Sequence, residues 1–176
     1  ATNPMTSMPN TARIRKALEK LDFLVIQDVY EDVETNQYSH VYFPASVWAE
    51  KEGCHTNTER RVNLISNVVA PFANSKPDFW IFNQLAKRFD NGKLIDFPET
   101  PEGAFNEMKQ LSKGKDRTLD ISGMTYEKLV KAKGIQWPYR EQDDDSEETL
   151  KGDPRLYTDG KFQTKSGKAN LLPIKF

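Results

Sequence analysis

The sequence predicts an α/β fold: a Rossmann-like parallel sheet within residues 1–112, followed by an irregular extension over 113–176 that carries a small hairpin. Three observations carry this expectation. Phe23-Leu24-Val25-Ile26 is a short, unbroken apolar run, the pattern of a strand buried on both faces of a parallel sheet. A second short run, Val41-Tyr42-Phe43, stops at Pro44. Helix-patterned or polar stretches precede and separate the two runs, which gives the helix–strand–helix–strand rhythm of a doubly wound sheet.

Taken in order, Asn3-Pro4 and Met8-Pro9-Asn10 read as loop. Asn10 or Thr11 can cap a helix that reaches Lys20, with Ile14, Ala17 and Leu18 on one face. Leu21-Asp22 turns the chain into the first strand, and Gln27-Asp28 ends that strand. The polar stretch 31–38 holds a short helix before the second strand. Residues 53–69 alternate in part, at Arg61-Val62-Asn63-Leu64-Ile65, and read as an extended or hairpin segment on the surface of the sheet. Pro77 starts a helix whose Phe79, Trp80, Phe82, Leu85 and Phe89 form an apolar stripe, most simply a core face. Asn91-Gly92 stops it. Thr100-Pro101-Glu102 opens another helix with Ala104, Phe105, Met108 and Leu111 inward, and a short helix ends near Lys133-Gly134. The acidic run 141–148 reads as a solvated loop. Asp159-Gly160 centres the expected hairpin over 155–162, and 169–176 closes the chain without a helix.

Composition narrows the function classes. Hydrophobic residues make up 37% and charged residues 29%, as in a polar globular chain. The net charge of −1 gives no electrostatic reason to expect nucleic acid or an acidic membrane as partner. No apolar run approaches the roughly 20 residues of a membrane span. Cys54 is the one cysteine, so an intrachain disulfide is excluded, and with two histidines it cannot build a cysteine-rich metal site. Cys54 and His55 are neighbours; on a strand they point to opposite faces and form no nucleophile–base pair.

The candidate site begins with charge beside strands. Asp28 stands just past the carboxyl end of a strand, where open α/β sheets place ligands; a turn or capping role is the alternative. The block from Trp48 to Val62 sets Glu50, Lys51, Glu52, Glu59, Arg60 and Arg61 directly after the second strand. The Lys51 ammonium suits a pyrophosphate as a compact charge, or it belongs to an exposed Glu50–Lys51–Glu52 cluster. Asp78 in the first turn of its helix is an ordinary capping position. Asn3 beside a proline can present its amide to a ligand or form a local turn. Arg60 and Arg61, adjacent on an extended segment, face opposite ways, so at most one addresses a ligand or a domain interface; the other pairs with Glu50 or Glu59.

Several segments, in order along essentially the whole chain, resemble the molybdopterin oxidoreductases, whose molybdenum is held by two molybdopterin guanine dinucleotides. They are Thr2-Asn3-Pro4 with Met8-Pro9, Val25-Ile26-Gln27-Asp28, Val41-Tyr42-Phe43-Pro44-Ala45 running into the charged block, and Pro77-Asp78-Phe79-Trp80-Ile81-Phe82. Gly134-Ile135-Gln136-Trp137-Pro138 and the segment 155–162 most resemble the assimilatory, cytoplasmic-type nitrate reductase catalytic subunits within that family. The resemblance implies an incomplete nucleotide-binding domain over 1–112 and a linker toward a further cofactor-binding domain over 113–176. The cysteine cluster of the family's 4Fe-4S centre and the segment bearing its molybdenum ligand have no match here. With an opening of Ala1-Thr2-Asn3-Pro4 and no initiator Met, the chain reads as a piece of a longer protein.

The resemblance also assigns roles. It implies that Gln27 and Asp28 contact the guanosine of one cofactor, that Asn3 and Lys51 bind the cofactor, and that Asp78 contacts the guanine nucleotide. Asn57, Glu59, Arg60 and Arg61 become a second tier with no individual job. No residue is expected to be a catalytic acid or base or a metal ligand. The implied parent enzyme reduces nitrate to nitrite, with the remaining domains of the catalytic subunit and an electron-donor protein as partners, in the cytoplasm or, less directly, the periplasm. The same role in a formate dehydrogenase is the near alternative. A non-redox nucleotide- or protein-binding module is the distant one, and the lack of a Gly-x-Gly-x-x-Gly loop counts against a stand-alone dinucleotide site.

Overall fold

The computed structural model describes residues 3–114, 118–143, 145–146 and 150–174. The chain is a mixture of helices and two small sheets, arranged as two compact units. One unit comprises Ala1–Glu52 and Ile65–Thr100; the other comprises Gly53–Leu64 and Pro101–Phe176. This division does not coincide with a single cut after residue 112.

In the first unit, α1 (Pro4–Ser7) starts on a proline, whose fixed φ suits a first helical position. Asn10 then caps α2 (Thr11–Leu18): its side chain accepts the Arg13 N–H at 3.2 Å, from a left-handed φ of 60° that asparagine tolerates. Strand β1 (Val25–Asp28) pairs in parallel with β2 (Val41–Pro44), Val25 opposite Val41 and Asp28 opposite Pro44. A 3-10 helix, Glu34–Tyr38, lies in the crossover between them, as the polar stretch predicted. The sheet gains one more parallel contact where Ala45 meets Lys76, with the Lys76 N–H bonded to the Pro44 carbonyl and the Ser46 N–H to the Lys76 carbonyl, both at 3.0 Å.

Two burial expectations for this unit are corrected. The first strand is not buried on both faces: Phe23 and Val25 are exposed, and among the described residues β2 is its one sheet neighbour. The aromatic stripe of α3 (Asp78–Ala86) is not a core face either. The helix buries Ile81, Asn83 and Ala86, while Trp80, Phe82 and Leu85, and Phe89 beyond its end, stay exposed. The inward face is set by a polar contact, the Asn83 amide donating to the Pro98 carbonyl at 3.0 Å. Among the described residues, Phe79 alone of the stripe finds an aromatic partner, Phe97, at 5.1 Å between ring centroids.

The second unit holds the large apolar cluster. Strands β3 (Gly53–Thr56), β4 (Arg61–Ile65) and β5 (Ile135–Gln136) form one sheet with β4 in the middle, antiparallel to β5. The segment 53–69 is therefore part of its own sheet, not a cover on the parallel one. Helix α4 (Pro101–Ser112) packs against β3, and α5 (Tyr126–Ala132) is capped by Thr125, whose hydroxyl accepts the Lys128 N–H at 3.2 Å. Helix α4 turns Phe105 and Ser112 inward, but leaves Met108 and Leu111 exposed, contrary to the expected stripe. Val62, Phe105, Ile121, Met124, Leu129, Ile135, Tyr139 and Leu150 make the buried cluster, with Cys54 partly buried against it. Most of that cluster comes from the stretch expected to be irregular.

The expected hairpin at 155–162 is not formed. Gly160 N–H closes a turn on the Tyr157 carbonyl at 3.0 Å, the Asp159 side chain takes the Lys161 N–H, and the Phe162 N–H bonds the Gly167 carbonyl. The amides of Gly160, Lys161 and Phe162 are thus engaged in local turns and not in a ladder. Of the acidic run, Asp144, Glu147 and Glu148 lie outside the described residues; Glu141 pairs with Lys113, and Asp145 takes bonds from Lys128 and the Tyr139 hydroxyl at 2.6 Å.

Candidate functional site: the carboxyl edge of the parallel strands

Three of the expected site residues meet in the first unit. Gln27 projects from β1, Lys51 follows the 3-10 helix Trp48–Glu50, and Asp78 opens α3. The Asp78 carboxylate takes both of the others: Oδ1 accepts the Gln27 amide at 2.5 Å, and Oδ2 accepts the Lys51 ammonium. Burial works against the Asp78 charge, but the hydrogen bonds from Lys51 and Gln27, with the Lys51 charge, outweigh it and hold the pKa below the usual carboxylate value. The N-cap position of α3 is Pro77, which has no side chain able to cap, and the Asp78 carboxylate also takes a backbone hydrogen bond from its own residue. It ties β1, the loop after Glu50 and the start of α3 at the strand edge.

Asp28 is the last residue of β1, where the strand reading expected it just past the strand's end. Its Oδ1 accepts the N–H groups of Val29 and Tyr30 at 2.7 and 3.3 Å, which is the Asx-type turn that ends the strand. Its carbonyl takes the Tyr42 hydroxyl at 2.9 Å. Burial, then the negative charges of Asp28, Glu31 and Asp32, raise the Tyr42 pKa, so that phenol stays a neutral donor. Turn-making and ligand-binding are compatible, because a carboxylate has two oxygens and the turn uses Oδ1.

Asn3 caps the first helical turn, and its amide is engaged inside the unit: Nδ2 donates to Glu34 at 2.6 Å and Oδ1 accepts the Thr35 hydroxyl. Glu34 is held below its usual pKa by its own backbone N–H, then by Asn3 and Thr6. The structure thus gives Asn3 a positioning role for the Glu34–Tyr38 crossover.

Next to these residues is a cleft of about 610 Å³. Its lining includes Val29 and Tyr30, which follow Asp28 in the chain, and Glu50, which precedes Lys51. Tyr42, Pro44 and Val47 line its strand side, and residues 72–75 its far side. The sequence reading left Tyr30 and Phe72 unnamed and gave Glu50 only as a member of the charged block. The strand-edge rule that found Asp28 extends naturally to Tyr30; nothing in the local pattern of 66–76 singled out Phe72.

The second-tier residues lie in the other unit and bond within it. Asn57 Oδ1 accepts the N–H groups of Glu59 and Arg61 at 3.0 and 3.2 Å, which shapes the loop between β3 and β4. Arg60 is not extended, contrary to expectation; its φ is +63°. Its guanidinium donates to the carbonyls of Trp137 and, at 3.0 Å, Asp153, and lies 5.4 Å from the Trp137 ring centroid. Arg61 donates to the Gly134 carbonyl at 2.9 Å. Neither arginine pairs with Glu50 or Glu59 among the described residues, because backbone carbonyls of 134–153 supply the acceptors. Cys54 and His55 lie on β3.

The donor set of the first unit suits a nucleotide. Lys51 supplies a compact cation, Gln27 an amide, Asp28 a carboxylate, and the adjoining cleft aromatic surface. Among the described residues no three His, Cys, Asp or Glu side chains gather as a metal site.

Comparison with known proteins bears on this arrangement. The family described as "Molybdopterin oxidoreductase" matches residues 1–88, which include Asn3, Gln27, Asp28, Lys51 and Asp78. A nitrate reductase from Synechocystis sp. is 41% identical over 97% of this chain and 23% of its own length. The F420-dependent formate dehydrogenase subunit alpha of Methanocaldococcus jannaschii is 35% identical over 99% of this chain and 24% of its own. A nitrate reductase from Symbiobacterium thermophilum is 33% identical over 80% of this chain and 18% of its own. The chain thus spans about a quarter or less of these relatives.

Proposed function

The chain belongs to the molybdopterin oxidoreductase family, a family of enzymes, and from that premise we propose that it holds the guanine dinucleotide arm of a molybdopterin cofactor. In this proposal the parallel pair β1–β2 is the visible part of a Rossmann-like nucleotide-binding domain. The observation that carries the reading is the convergence of Gln27 and Lys51 on Asp78 at the carboxyl edge of those strands, beside Asp28 and the cleft.

Each residue has a chemical task. Asp28 accepts hydrogen bonds from the guanine edge or the ribose hydroxyls through the carboxylate oxygen its turn does not use. Lys51 offers positive charge to the phosphates; its Asp78 partner keeps the ammonium in place before ligand arrives. Asp78 and Gln27 fix the register of α3 against β1, with contact to the nucleotide on the same edge. Asn3 orders the crossover loop, and Asn57, Glu59, Arg60 and Arg61 remain a second tier of candidate binding residues with no individual task. When bound, the molybdenum cofactor supplies the redox chemistry, and this chain contributes binding and orientation.

For the parent protein we favour nitrate reduction to nitrite, with a 4Fe-4S centre, the remaining domains and an electron donor supplied outside this chain, in the cytoplasm. The 41% identity to a nitrate reductase supports this. The formate dehydrogenase reading has its own support in the 35% identity over 99% of the chain. The shared cofactor role is tested by calorimetric titration of the chain with GDP. Saturable binding that Asp28→Ala weakens about tenfold or more is expected, the value of a charge-assisted hydrogen bond. Equal affinity in the two proteins removes Asp28 from the site.

A further inference from the structure

The segment 66–76 is fastened to the loop after β2 at several points. The Val68 and Val69 N–H groups bond the Ala49 carbonyl at 2.9 and 3.2 Å, and the Lys76 N–H bonds the Pro44 carbonyl. The firmest tie is Glu50, a carboxylate only 9% exposed. Its Oε2 accepts the Val47 N–H at 3.0 Å and its Oε1 the Phe72 N–H at 3.1 Å. Burying a carboxylate is costly unless it is fully hydrogen-bonded, so this one is invested in fixing the Phe72 backbone.

Phe72 itself is 80% exposed, although its backbone is held so firmly. The next residue, Ala73, has a φ of +48°, in the left-handed region that a residue with a Cβ rarely adopts. The Ser75 N–H closes the turn on the Phe72 carbonyl at 2.9 Å. Such a conformation persists only where the surroundings over-determine it, and it recurs at ligand clamps. Phe72, Ala73, Asn74 and Ser75 all line the cleft, with Tyr30 and Tyr42 also on its wall. A rigid turn that presents an uncovered ring to an aromatic-walled cleft beside Asp28 is suited to a flat ligand.

We propose that Phe72 is a stacking platform for the base of the nucleotide and that Glu50 is the positioning residue that sets it. This rests on the nucleotide-binding reading of the same strand edge. The ring supplies face-on contact that any base accepts, and the polar groups near Asp28 choose among bases. Glu50 acts through its bond to the Phe72 N–H.

The test is equilibrium binding of GMP to the chain, with ribose 5-phosphate as the probe that lacks a base. Phe72→Ala is expected to weaken GMP about 5- to 150-fold, the range for loss of one base–aromatic stack, and to leave ribose 5-phosphate within twofold. Phe72→Trp restores GMP binding. Glu50→Ala weakens GMP in the wild-type background but not further in Phe72→Ala, a non-additivity that general destabilisation does not produce. If Glu50→Ala fails to fold, the Phe72 series decides alone. Retention of GMP affinity in Phe72→Ala, while Asp28→Ala loses it, overturns the stacking assignment and leaves the nucleotide reading standing. No saturable GMP binding by wild type at millimolar ligand overturns both.

Discussion

Asp78 shows how one side chain can serve a different end from the one its position suggests. In sequence it is a first-turn carboxylate; in the structure its two oxygens bind Gln27 from β1 and Lys51 from the loop after β2. Its lowered pKa has a signed consequence. The stability it contributes is fully present above the ordinary value of 3.8 and is lost as pH falls below that, through the folded-state pKa. Denaturant unfolding of wild type and Asp78→Asn should therefore differ most near neutral pH and converge in acid. Because the pair is partly exposed, the neutral-pH difference is expected at about 0.5 to 1 kcal/mol. A difference that grows on acidification would contradict the pairing. The place of Asp28 at the end of a strand was legible because it follows an apolar run. The Gln27–Lys51–Asp78 cluster was not, because its members are 24 to 51 positions apart, bridged through a crossover and a strap that no local pattern encodes.

At the scale of elements, periodicity located the helices better than it located their buried faces. The stripe Phe79, Trp80, Phe82 reads as core, yet α3 turns Ile81 and Ala86 inward and Asn83 to the Pro98 carbonyl. Long-range polar contacts decided the rotation, and such contacts are invisible in a window of neighbouring residues. Two substitutions measure the difference. Leu129→Ala, in the buried cluster of the second unit, should cost about 2 to 5 kcal/mol, whereas Phe82→Ala on the exposed face of α3 should stay within about 0.5 kcal/mol. Equal losses in chemical denaturation would place Phe82 in a packed environment. Gly152 gives a backbone counterpart: its φ is +79°, and a Cβ there would collide with the Gln136 carbonyl oxygen. Gly152→Ala should destabilise by about 2 kcal/mol or more and disturb the pairing of Gly152 with β5. A neutral result in the same denaturation experiment would show that the turn relaxes freely.

For the whole molecule, the α/β character and the parallel pairing were legible from two apolar runs and the segments between them. The division into units was not, because β3 and β4, which follow β2 closely in sequence, pack with α4, α5 and β5 from much later in the chain. The irregular extension expected after residue 112 supplies most of a buried cluster. Among the described residues no helix is long and apolar enough to cross a membrane. The chain spans 23% of the length of a nitrate reductase to which it is 41% identical, and purified chain is expected to show no nitrate turnover with reduced viologen. Measurable turnover would mean that catalytic groups reside here after all. The central claim concerns binding rather than turnover, and the complete protein tests it most directly. Guanine nucleotide released by acid hydrolysis, measured per molecule of purified protein, is predicted to fall about tenfold in the Asp28→Ala, Lys51→Ala double variant, because neither charged group then reaches the nucleotide. Retention at the wild-type level in a folded double variant would contradict the assignment of this strand edge to the cofactor's guanine arm.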